Sequence, residues 1–218
     1  MARTGEIAEG AKGISAFIVD ATLPGISLGK KDKKMGQRGT STSDVIFDNV
    51  RVSKDCLIGA EGQGFKTAMK VLDRGRLQIS AVAVGAAKRL IDESVSYAND
   101  RKQFGKSIGE FQLIQAMIAD SYADCFAGEA MTLKAAQEFD LGHRENKMTS
   151  ACKLFCTEMV GRIADRAVQI HGGSGYISEF PVEHFFRDVR LFRLYEGTSQ
   201  IQQLIIARDL LNESQSAA

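Results

Sequence analysis

One carboxylate near the end of the chain, Glu196, has the surroundings of a general base. It stands in Tyr195-Glu196-Gly197-Thr198, a short turn between two segments with apolar patterning. A carboxylate on a rigid turn can reach into a pocket and accept a proton, and the loss of water around it makes it more basic. The same spacing also fits an acidic residue at a helix N-terminus, where the helix dipole favours negative charge. On spacing alone, the helix-terminal interpretation is favoured.

Two other segments contain residue types that bind phosphate. Gly172 and Gly173 follow a predicted helix, and glycines let backbone amides approach a ligand closely. Arg101 ends a long predicted helix and can pair with a pyrophosphate. Both have structural alternatives, because a glycine commonly caps a helix and a terminal cation stabilises its dipole. The glycine segment is not the dinucleotide-binding fingerprint, which follows a strand rather than a helix.

A glycine interrupts the longest predicted helix, in Asp73-Arg74-Gly75-Arg76. A glycine inside a helix costs about 1 kcal/mol relative to alanine. The small residue either leaves room for a ligand or permits close packing of another helix. His171 and His184 are interpreted as structural, since Glu196 is the better-placed base.

The composition of the 218-residue chain is that of an ordinary globular protein, with 44% hydrophobic and 25% charged residues. A net charge of +1 gives no electrostatic reason to expect nucleic acid or a membrane surface as a partner. No apolar run is long enough to span a membrane. Cys152 and Cys156 lie four apart on a predicted helix, but no histidine completes a metal site. We therefore expect buried, reduced thiols and no metal.

Helical periodicity dominates after about residue 60. Apolar spacing predicts helices over about residues 65–100, 110–141, 148–170, 181–190 and 198–211. Before residue 60, the pattern favours strands over residues 13–20, 25–29 and 44–52. The second helix is expected to carry its large apolar residues on one face: Phe111, Ile114, Ile118, Tyr122, Phe126 and Leu133. A turn is predicted over residues 142–146 and a frayed tail over residues 213–218.

Three motifs resemble the acyl-CoA dehydrogenase family in residue types, order and spacing: Arg101-Lys102-Gln103-Phe104-Gly105, the segment 169–175 and Tyr195-Glu196-Gly197-Thr198. The resemblance extends from about Gly13 to Leu211. It implies a mainly α fold, in which a C-terminal up-down helical bundle over residues 61–218 follows a partial middle β domain over residues 1–60. The family's flavin-ring motifs, a Thr-Glu-Pro-rich stretch and a Trp/Phe-Ile-Thr stretch, would lie upstream of Met1. The resemblance therefore implies a truncated chain.

This resemblance implies an FAD-dependent acyl-CoA dehydrogenase that converts an acyl-CoA thioester to a trans-2-enoyl-CoA in the β-oxidation of fatty acids. Glu196 would remove the α-proton while a β-hydride passes to flavin N5. Some family members place the base on the long helix instead, but this chain has Gly75 there. The residues that the resemblance assigns to FAD are Arg101, Phe104, Gln112, Gln169, Gly172, Gly173, Thr198 and Gln200. Those that it assigns to the acyl-CoA are Asp73, Arg76, Tyr195 and Gly197.

The resemblance also implies partners. An electron-transferring flavoprotein would accept the electrons, and a homodimer or homotetramer is expected because the family's flavin site is shared between subunits. The compartment would be the cytoplasm of a bacterium or the mitochondrial matrix of a eukaryote. Two alternatives stay open: a non-catalytic helical fragment that only self-associates, and an acyl-CoA oxidase.

Overall fold

The computed structural model describes residues 1–143 and 146–216. The chain divides into two compact units, Met1–Leu72 and Asp73–Ala218. Short strands prevail in the first unit, and α-helices make up most of the second. The mainly α fold predicted from the sequence is thereby confirmed. Residues 144 and 145 of the predicted turn, and residues 217 and 218 of the predicted tail, lie outside the described residues.

The first unit contains two small antiparallel sheets. Strands β1 (Ala2–Arg3), β2 (Ile14–Phe17) and β5 (Leu57–Ile58) form one sheet in the order β1-β2-β5, and β3 (Ile26–Leu28) pairs with β4 (Val45–Phe47). Ser15 on β2 is buried. Its hydroxyl contacts Thr4 Oγ1 at 2.6 Å and accepts a hydrogen bond from the Gly62 N–H at 2.9 Å. These bonds join the sheet to the loop before the first long helix.

The described residues contain five α-helices. They are α1 (Gly64–Asp100), α2 (Gln112–Asp140), α3 (Asn146–His171), α4 (Pro181–Val189) and α5 (Ser199–Ser216). A hairpin of β6 (Lys102–Gln103) and β7 (Lys106–Ser107) connects α1 to α2, and 3₁₀ turns at Gly172–Tyr176 and Arg190–Arg193 flank α4. The predicted helices are all present. α5 extends beyond Leu211, so residues 213–216 are helical rather than frayed.

The core of the second unit is centred on α3. Its most buried face contains Cys152, Cys156, Met159, Val160, Ile163 and Ala164. The residues of α1 in the same cluster are small or branched: Ile79, Ala83, Val84, Ala87 and Leu90. Loss of water around Cys152 raises its pKa to about 12, so this thiol stays protonated, as expected of a buried, reduced cysteine.

The apolar face predicted for α2 is only partly buried. Phe111, Ile114 and Ile118 pack inward near the start of the helix, but Tyr122, Phe126 and Leu133 are more than half exposed. The buried side consists instead of small residues: Ser121, Cys125, Gly128, Thr132 and Ala135. They permit a close approach, since a Cβ on Gly128 would lie 2.9 Å from Met159 Cε. Packing through small residues leaves little hydrophobic periodicity in the sequence, so the large apolar residues of α2 do not mark its buried side.

Two kinds of feature are missing from the part of the chain that the structure describes. No helix there is both long and apolar enough to cross a membrane. No group of three His, Cys, Asp or Glu side chains is placed to hold a metal ion. The polar residues of interest lie instead around the turn before α5 and around the end of α1.

Candidate active site

Glu196 and Gly197 form a left-handed turn between the Arg190–Arg193 3₁₀ turn and α5. Their φ angles are 58° and 86°. A positive φ is uncommon for a residue with a side chain, and it persists where the surroundings impose it, often at functional sites. Thr198 then caps α5, because its hydroxyl accepts a hydrogen bond from the Ile201 N–H at 3.3 Å. The backbone on both sides of Glu196 is therefore constrained.

The Glu196 carboxylate lies directly against Gly75 of α1. A Cβ on Gly75 would be 2.8 Å from Glu196 Cδ and 3.0 Å from Oε1, closer than side chains normally approach. The glycine within the helix therefore makes room for this carboxylate. Oε2 is buried and has no hydrogen-bond partner among the described residues. Leaving a buried acceptor unpaired costs about 1–3 kcal/mol, so the arrangement favours a site that a ligand completes.

Two fully buried side chains donate hydrogen bonds to backbone carbonyls of the turn. Gln202 Nε2 donates to the carbonyl oxygens of Glu196 at 3.1 Å and Gly197 at 3.0 Å. Lys153 Nζ, from α3, donates to the same Gly197 carbonyl at 2.7 Å. Loss of water lowers the pKa of Lys153 to about 8, although the nearby Glu158 carboxylate acts in the opposite direction. A lysine and an amide thus converge on the peptide that follows the carboxylate.

Glu158 on α3 contacts both sides of the turn. It accepts a hydrogen bond from Ser199 Oγ at 2.7 Å, at the first residue of α5. Its other oxygen lies 3.2 Å from Arg193 Nε, in the 3₁₀ turn that precedes Glu196. The carboxylate therefore joins the elements before and after the turn to the central helix.

Asp73 and Arg76 lie on α1, one turn of helix around Gly75. Arg76 is only 6% exposed, and its Nη1 forms an ion pair with Asp73 Oδ1 at 2.8 Å. Arg76 Nε has no partner among the described residues. Loss of water raises the pKa of Asp73, and the positive charge of Arg76 opposes that shift. A buried arginine with a free donor, next to Gly75 on α1, adds a second polar contact point for a ligand.

The residues predicted to bind FAD through the 101–112 and 169–173 segments share a separate location. Ala98, Ile108 and Ile170 form a small apolar cluster that joins the end of α1, the hairpin and the end of α3. The Tyr97 hydroxyl also lies 3.1 Å from Ser174 Oγ, and the Tyr97 ring stacks on His171 with centroids 4.2 Å apart. The structure therefore brings together two segments that are distant in the sequence.

The hairpin between β6 and β7 exposes an aromatic ring. Phe104 and Gly105 both have positive φ, 53° and 83°, as the tight turn of a two-residue hairpin requires. Phe104 is 92% exposed, with only an edge contact to Phe111. Lys106 Nζ lies 4.5 Å from the centre of the Phe111 ring, which places a second cation near Arg101 in the chain. An exposed ring and cations together suit a nucleotide.

The glycine segment is open in the way that a phosphate group requires. Gly172 has a φ of 59°, and a Cβ added to Gly172 or Gly173 would meet nothing within 4 Å. Arg101, Gln112 and Gln169 are exposed. A guanidinium, two amides and uncovered glycine backbone form a donor set that fits the pyrophosphate and adenosine of FAD. Thr198 and Gln200 do not belong to this group, because they lie in the segment that includes Glu196.

Sequence reasoning missed Lys153, Glu158 and Gln202. Lys153 carried a signal, because it shares a helical stripe with the buried residues Thr157, Val160 and Ala164. A lysine at such a position either interrupts the buried face or is buried with a polar partner. Glu158 and Gln202 carried no such signal, since their roles depend on contacts between separate helices.

Comparison with known proteins places these features in a family. Residues 62–211 match the family described as acyl-CoA dehydrogenase, C-terminal domain. The caffeyl-CoA reductase–Etf complex subunit CarC of Acetobacterium woodii is 44% identical over 208 residues, which are 95% of this chain and 55% of that protein. Cyclohexane-1-carbonyl-CoA dehydrogenase of Geobacter metallireducens is 42% identical over 214 residues, 98% of this chain and 56% of that protein.

A solved structure agrees with these sequence matches. The butyryl-CoA dehydrogenase of Megasphaera elsdenii gives a TM-score of 0.93 at 36% identity, over 96% of this chain and 55% of that one. The chain thus spans about half the length of the curated relatives that it matches. With most of its length inside the matched domain and its helices superposable on those of a known enzyme, the chain belongs to the acyl-CoA dehydrogenase family.

Proposed function

We propose that this chain carries the catalytic base of an acyl-CoA dehydrogenase, Glu196, together with the part of the FAD site that the C-terminal domain contributes. The reaction removes one hydrogen from Cα and one from Cβ of an acyl-CoA thioester and leaves a trans-2-enoyl-CoA. The observation that carries the proposal is the Glu196 carboxylate. It is fixed on a left-handed turn, faces Gly75 and keeps Oε2 buried without a partner among the described residues. Such a group can accept a proton without first breaking a structural bond.

Glu196 offers two groups to the substrate. The α-proton of a thioester becomes more acidic when the carbonyl oxygen receives a hydrogen bond. The Glu196 N–H is available for that bond, because it makes none within the described part of the chain. The N–H would then polarise the carbonyl while the carboxylate takes the proton from Cα. The electron pair of the broken Cα–H bond forms the double bond as a hydride leaves Cβ.

The residues around Glu196 have supporting roles in this proposal. Arg76 and Asp73 approach from α1, where the unpaired Arg76 Nε can donate to a polar group of the acyl-CoA. Tyr195 packs on Phe192, with nearly parallel rings 5.9 Å apart, and Gly197 leaves space in which Gln202 reaches the backbone. These contacts would orient the thioester rather than exchange protons with it.

The FAD would be held by the second group of residues. Arg101 would pair with the pyrophosphate, and the Gly172–Gly173 backbone would approach it closely. Phe104, Gln112 and Gln169 would contact the remainder of the adenosine diphosphate. Thr198 and Gln200 lie beside Glu196, apart from this group, and would contact another part of the cofactor. When bound, FAD supplies the two-electron chemistry by accepting the hydride from Cβ.

The relatives extend the proposal to partners and direction. One relative is a subunit of a caffeyl-CoA reductase–Etf complex, which supports an electron-transferring flavoprotein as the redox partner. The same name, and that of a 3-(aryl)acrylate reductase from Clostridium sporogenes, concern reductases. Run in reverse, the reaction needs the same residues, with Glu196 returning its proton to Cα. A homodimer or homotetramer would complete the flavin site.

Loss of the Glu196 carboxylate tests the proposal. The chain is loaded with FAD, freed of excess flavin and titrated anaerobically with butyryl-CoA and longer acyl-CoAs. We expect the flavin absorbance to bleach with at least one of them. In Glu196→Gln, the bleaching rate should fall about 100-fold to 10,000-fold with FAD retained, which is the usual contribution of a general base.

A matched control is Asp165→Asn, which neutralises an exposed carboxylate on α3. It should bleach like the unaltered chain. Bleaching that persists in Glu196→Gln would remove Glu196 as the base. A folded chain that retains neither FAD nor acyl-CoA would favour the non-catalytic, self-associating fragment. Rapid reoxidation of the bleached flavin by air would favour an acyl-CoA oxidase.

A further inference from the structure

Lys153 is a buried cation that the proposed reaction does not use. It is fully inaccessible to solvent, although lysine is rarely buried. Its Nζ makes one hydrogen bond to another element, to the Gly197 carbonyl at 2.7 Å. Burying a lysine is unfavourable unless its charge is compensated, and the only gain visible among the described residues is this contact and the nearby carboxylates.

The carbonyl that Lys153 contacts lies one peptide beyond the proposed base. Gly197 O accepts from both Lys153 Nζ and Gln202 Nε2, while Glu196 O accepts from Gln202 alone. These bonds fix the orientation of the peptides on both sides of Gly197, and hence the left-handed φ angles of Glu196 and Gly197. The direction of the Glu196 side chain toward Gly75 follows from those angles.

We infer that Lys153 is a positioning residue, whose ammonium group holds the Gly197 carbonyl so that the Glu196 carboxylate stays against Gly75. Lys153 touches neither the carboxylate nor, in the proposed reaction, the substrate, and it acts through the backbone of the turn. A hydrogen bond from a charged donor is stronger than one from a neutral donor, so the ammonium holds this peptide more firmly than the Gln202 amide does.

The inference rests on the proposed function only for its predicted effect on the reaction rate. The placement of the turn itself can be measured without FAD or acyl-CoA. Four backbone amides report on it. Those of Leu194 and Tyr195 donate to the Leu191 carbonyl, and those of Ile201 and Gln202 donate to Thr198. Hydrogen exchange of these amides follows local opening of the turn.

The first variant is Lys153→Met, which keeps the length of the side chain and removes its charge and donor. We expect exchange of the four amides to accelerate by roughly tenfold or more. The matched control is Thr157→Val, one helical turn further along α3. Thr157 is equally buried, but its hydroxyl donates only to the Lys153 carbonyl within the helix. Thr157→Val should leave exchange of the four amides unchanged.

Amides in the α2–α3 core provide the internal reference. If Lys153→Met accelerates exchange there as much as in the turn, Lys153 is a general stabilising residue and the inference is wrong. If neither region changes, the turn holds its shape without the ammonium and the inference is equally wrong. Only a local acceleration, confined to the turn and absent in Thr157→Val, supports it.

The unaltered chain provides a second test that does not depend on a variant folding. The charged groups nearest to Lys153 are Glu158 on α3, Arg76 on α1 and Glu196 on the turn, and with burial they place its pKa at about 8. Opening of the turn alone leaves Lys153 within the α3 core, whereas global unfolding exposes it to water. Loss of its proton therefore weakens its hydrogen bond to the Gly197 carbonyl, and exchange of the four amides, corrected for its intrinsic pH dependence, should accelerate as the pH rises through about 8. The same protection in acid and in alkali would overturn the inference.

The flavin-loaded chain then connects the inference to the reaction. Lys153→Met should slow bleaching at saturating acyl-CoA and leave the half-saturating acyl-CoA concentration nearly unchanged, since the substrate contacts remain. A locally loosened turn with unchanged bleaching would refute the catalytic consequence and leave the structural role intact. Loss of bleaching in Glu196→Gln is measured separately, so failure of the proposed function and failure of this inference give different results.

Discussion

The carboxylate of Glu196 occupies the space that a side chain on Gly75 would fill. A Cβ at residue 75 would stand 2.8 Å from Glu196 Cδ, so the two residues cannot both carry side chains in their present positions. The helix accepts a less favourable residue at this point, and the turn accepts a glutamate with a positive φ. Both features reduce stability, and their shared result is one carboxylate held in one place. Such trade-offs are typical of functional sites.

Gly75→Ala should separate stability from activity. Alanine is favoured over glycine inside a helix by about 0.5–1 kcal/mol, but here its Cβ displaces the Glu196 carboxylate. We expect the free energy of unfolding to change by less than about 1 kcal/mol. The rate of acyl-CoA-dependent bleaching should fall about 100-fold, as expected when a reacting group moves by about 1 Å. Denaturant unfolding and stopped-flow absorbance measure the two quantities.

Gly85→Ala is the matched control for this change. It lies on the same helix, is exposed, and has nothing within 4 Å of an added Cβ. It should raise the free energy of unfolding by about 0.5–1 kcal/mol and leave bleaching unaltered. A Gly75→Ala chain that bleaches as fast as Gly85→Ala would show that the carboxylate can work from another position.

The pairing of Gly75 with Glu196 marks the limit of what the sequence could predict. Apolar spacing is sufficient to predict α1, and the glycine within it indicates that a ligand or another helix approaches closely. The spacing does not predict that the Glu196 carboxylate fills this space, because the contact joins two segments that are distant in the sequence. Resemblance to the family supplied the role of Glu196 as a base, which the local pattern alone disfavoured.

Lys153 and α2 show where residue type and local pattern are insufficient. Lys153 falls on a stripe of buried residues of α3, but nothing in the sequence identifies the Gly197 carbonyl that its Nζ contacts. On α2, Tyr122 and Phe126 share the predicted apolar face but are exposed, whereas the helix packs through small residues such as Gly128. In both cases the surroundings, rather than residue type, decide burial.

The burial of Lys153 should make stability depend on pH in the alkaline range. Its pKa is about 8 in the folded chain and ordinarily 10.5, so between these values the unfolded chain binds more protons. Stability therefore rises with pH across that window. Relative to Lys153→Met, we expect the unaltered chain to gain about 2–3 kcal/mol between about pH 7 and about pH 10. Denaturant unfolding across this range gives the difference.

The variant itself is the control for other groups that titrate in alkali, because they are common to both chains. Parallel pH profiles for the two chains would mean that Lys153 keeps an ordinary pKa in the fold. A difference of the opposite sign, with the unaltered chain losing stability in alkali, would mean that its ion pairs outweigh its loss of water.

Phe104 should matter for FAD and not for the fold. It is 92% exposed at the tip of the hairpin, with a left-handed backbone that asparagine adopts more readily than phenylalanine. Phe104→Asn should leave the free energy of unfolding unchanged or slightly raised. The Kd for FAD should increase about tenfold or more, since an aromatic ring buried against a ligand contributes about 1.5–3 kcal/mol. Quenching of flavin fluorescence measures the Kd.

An exposed apolar residue at the other end of α2 tests whether surface hydrophobicity alone explains such an effect. Leu141→Ser removes a side chain that is 70% exposed and lies after the last residue of α2. It should leave the Kd for FAD unchanged. Equal weakening by both substitutions would point to a general loss of solubility or self-association rather than to a contact with the cofactor.

His171 should make the glycine segment sensitive to acid. It is buried, its Nδ1–H donates to the Ala167 carbonyl at 2.8 Å, and its ring stacks on Tyr97 immediately before Gly172. Loss of water lowers its pKa below the ordinary 6.5, although the Ala167 carbonyl and the Glu93 charge oppose that shift. As the pH falls below about 6.5, the unfolded chain takes up the proton first, so stability falls with pH in that window.

His171→Phe keeps the stacked ring and removes the titration. We expect its free energy of unfolding, and its affinity for FAD, to depend less on pH below about 6.5 than those of the unaltered chain. His184→Gln, at an exposed ion pair with Asp188, should retain the full acid dependence. If His171→Phe loses stability in acid as steeply as His184→Gln, the acid sensitivity arises elsewhere. A titration of His171 by nuclear magnetic resonance would then report an ordinary pKa.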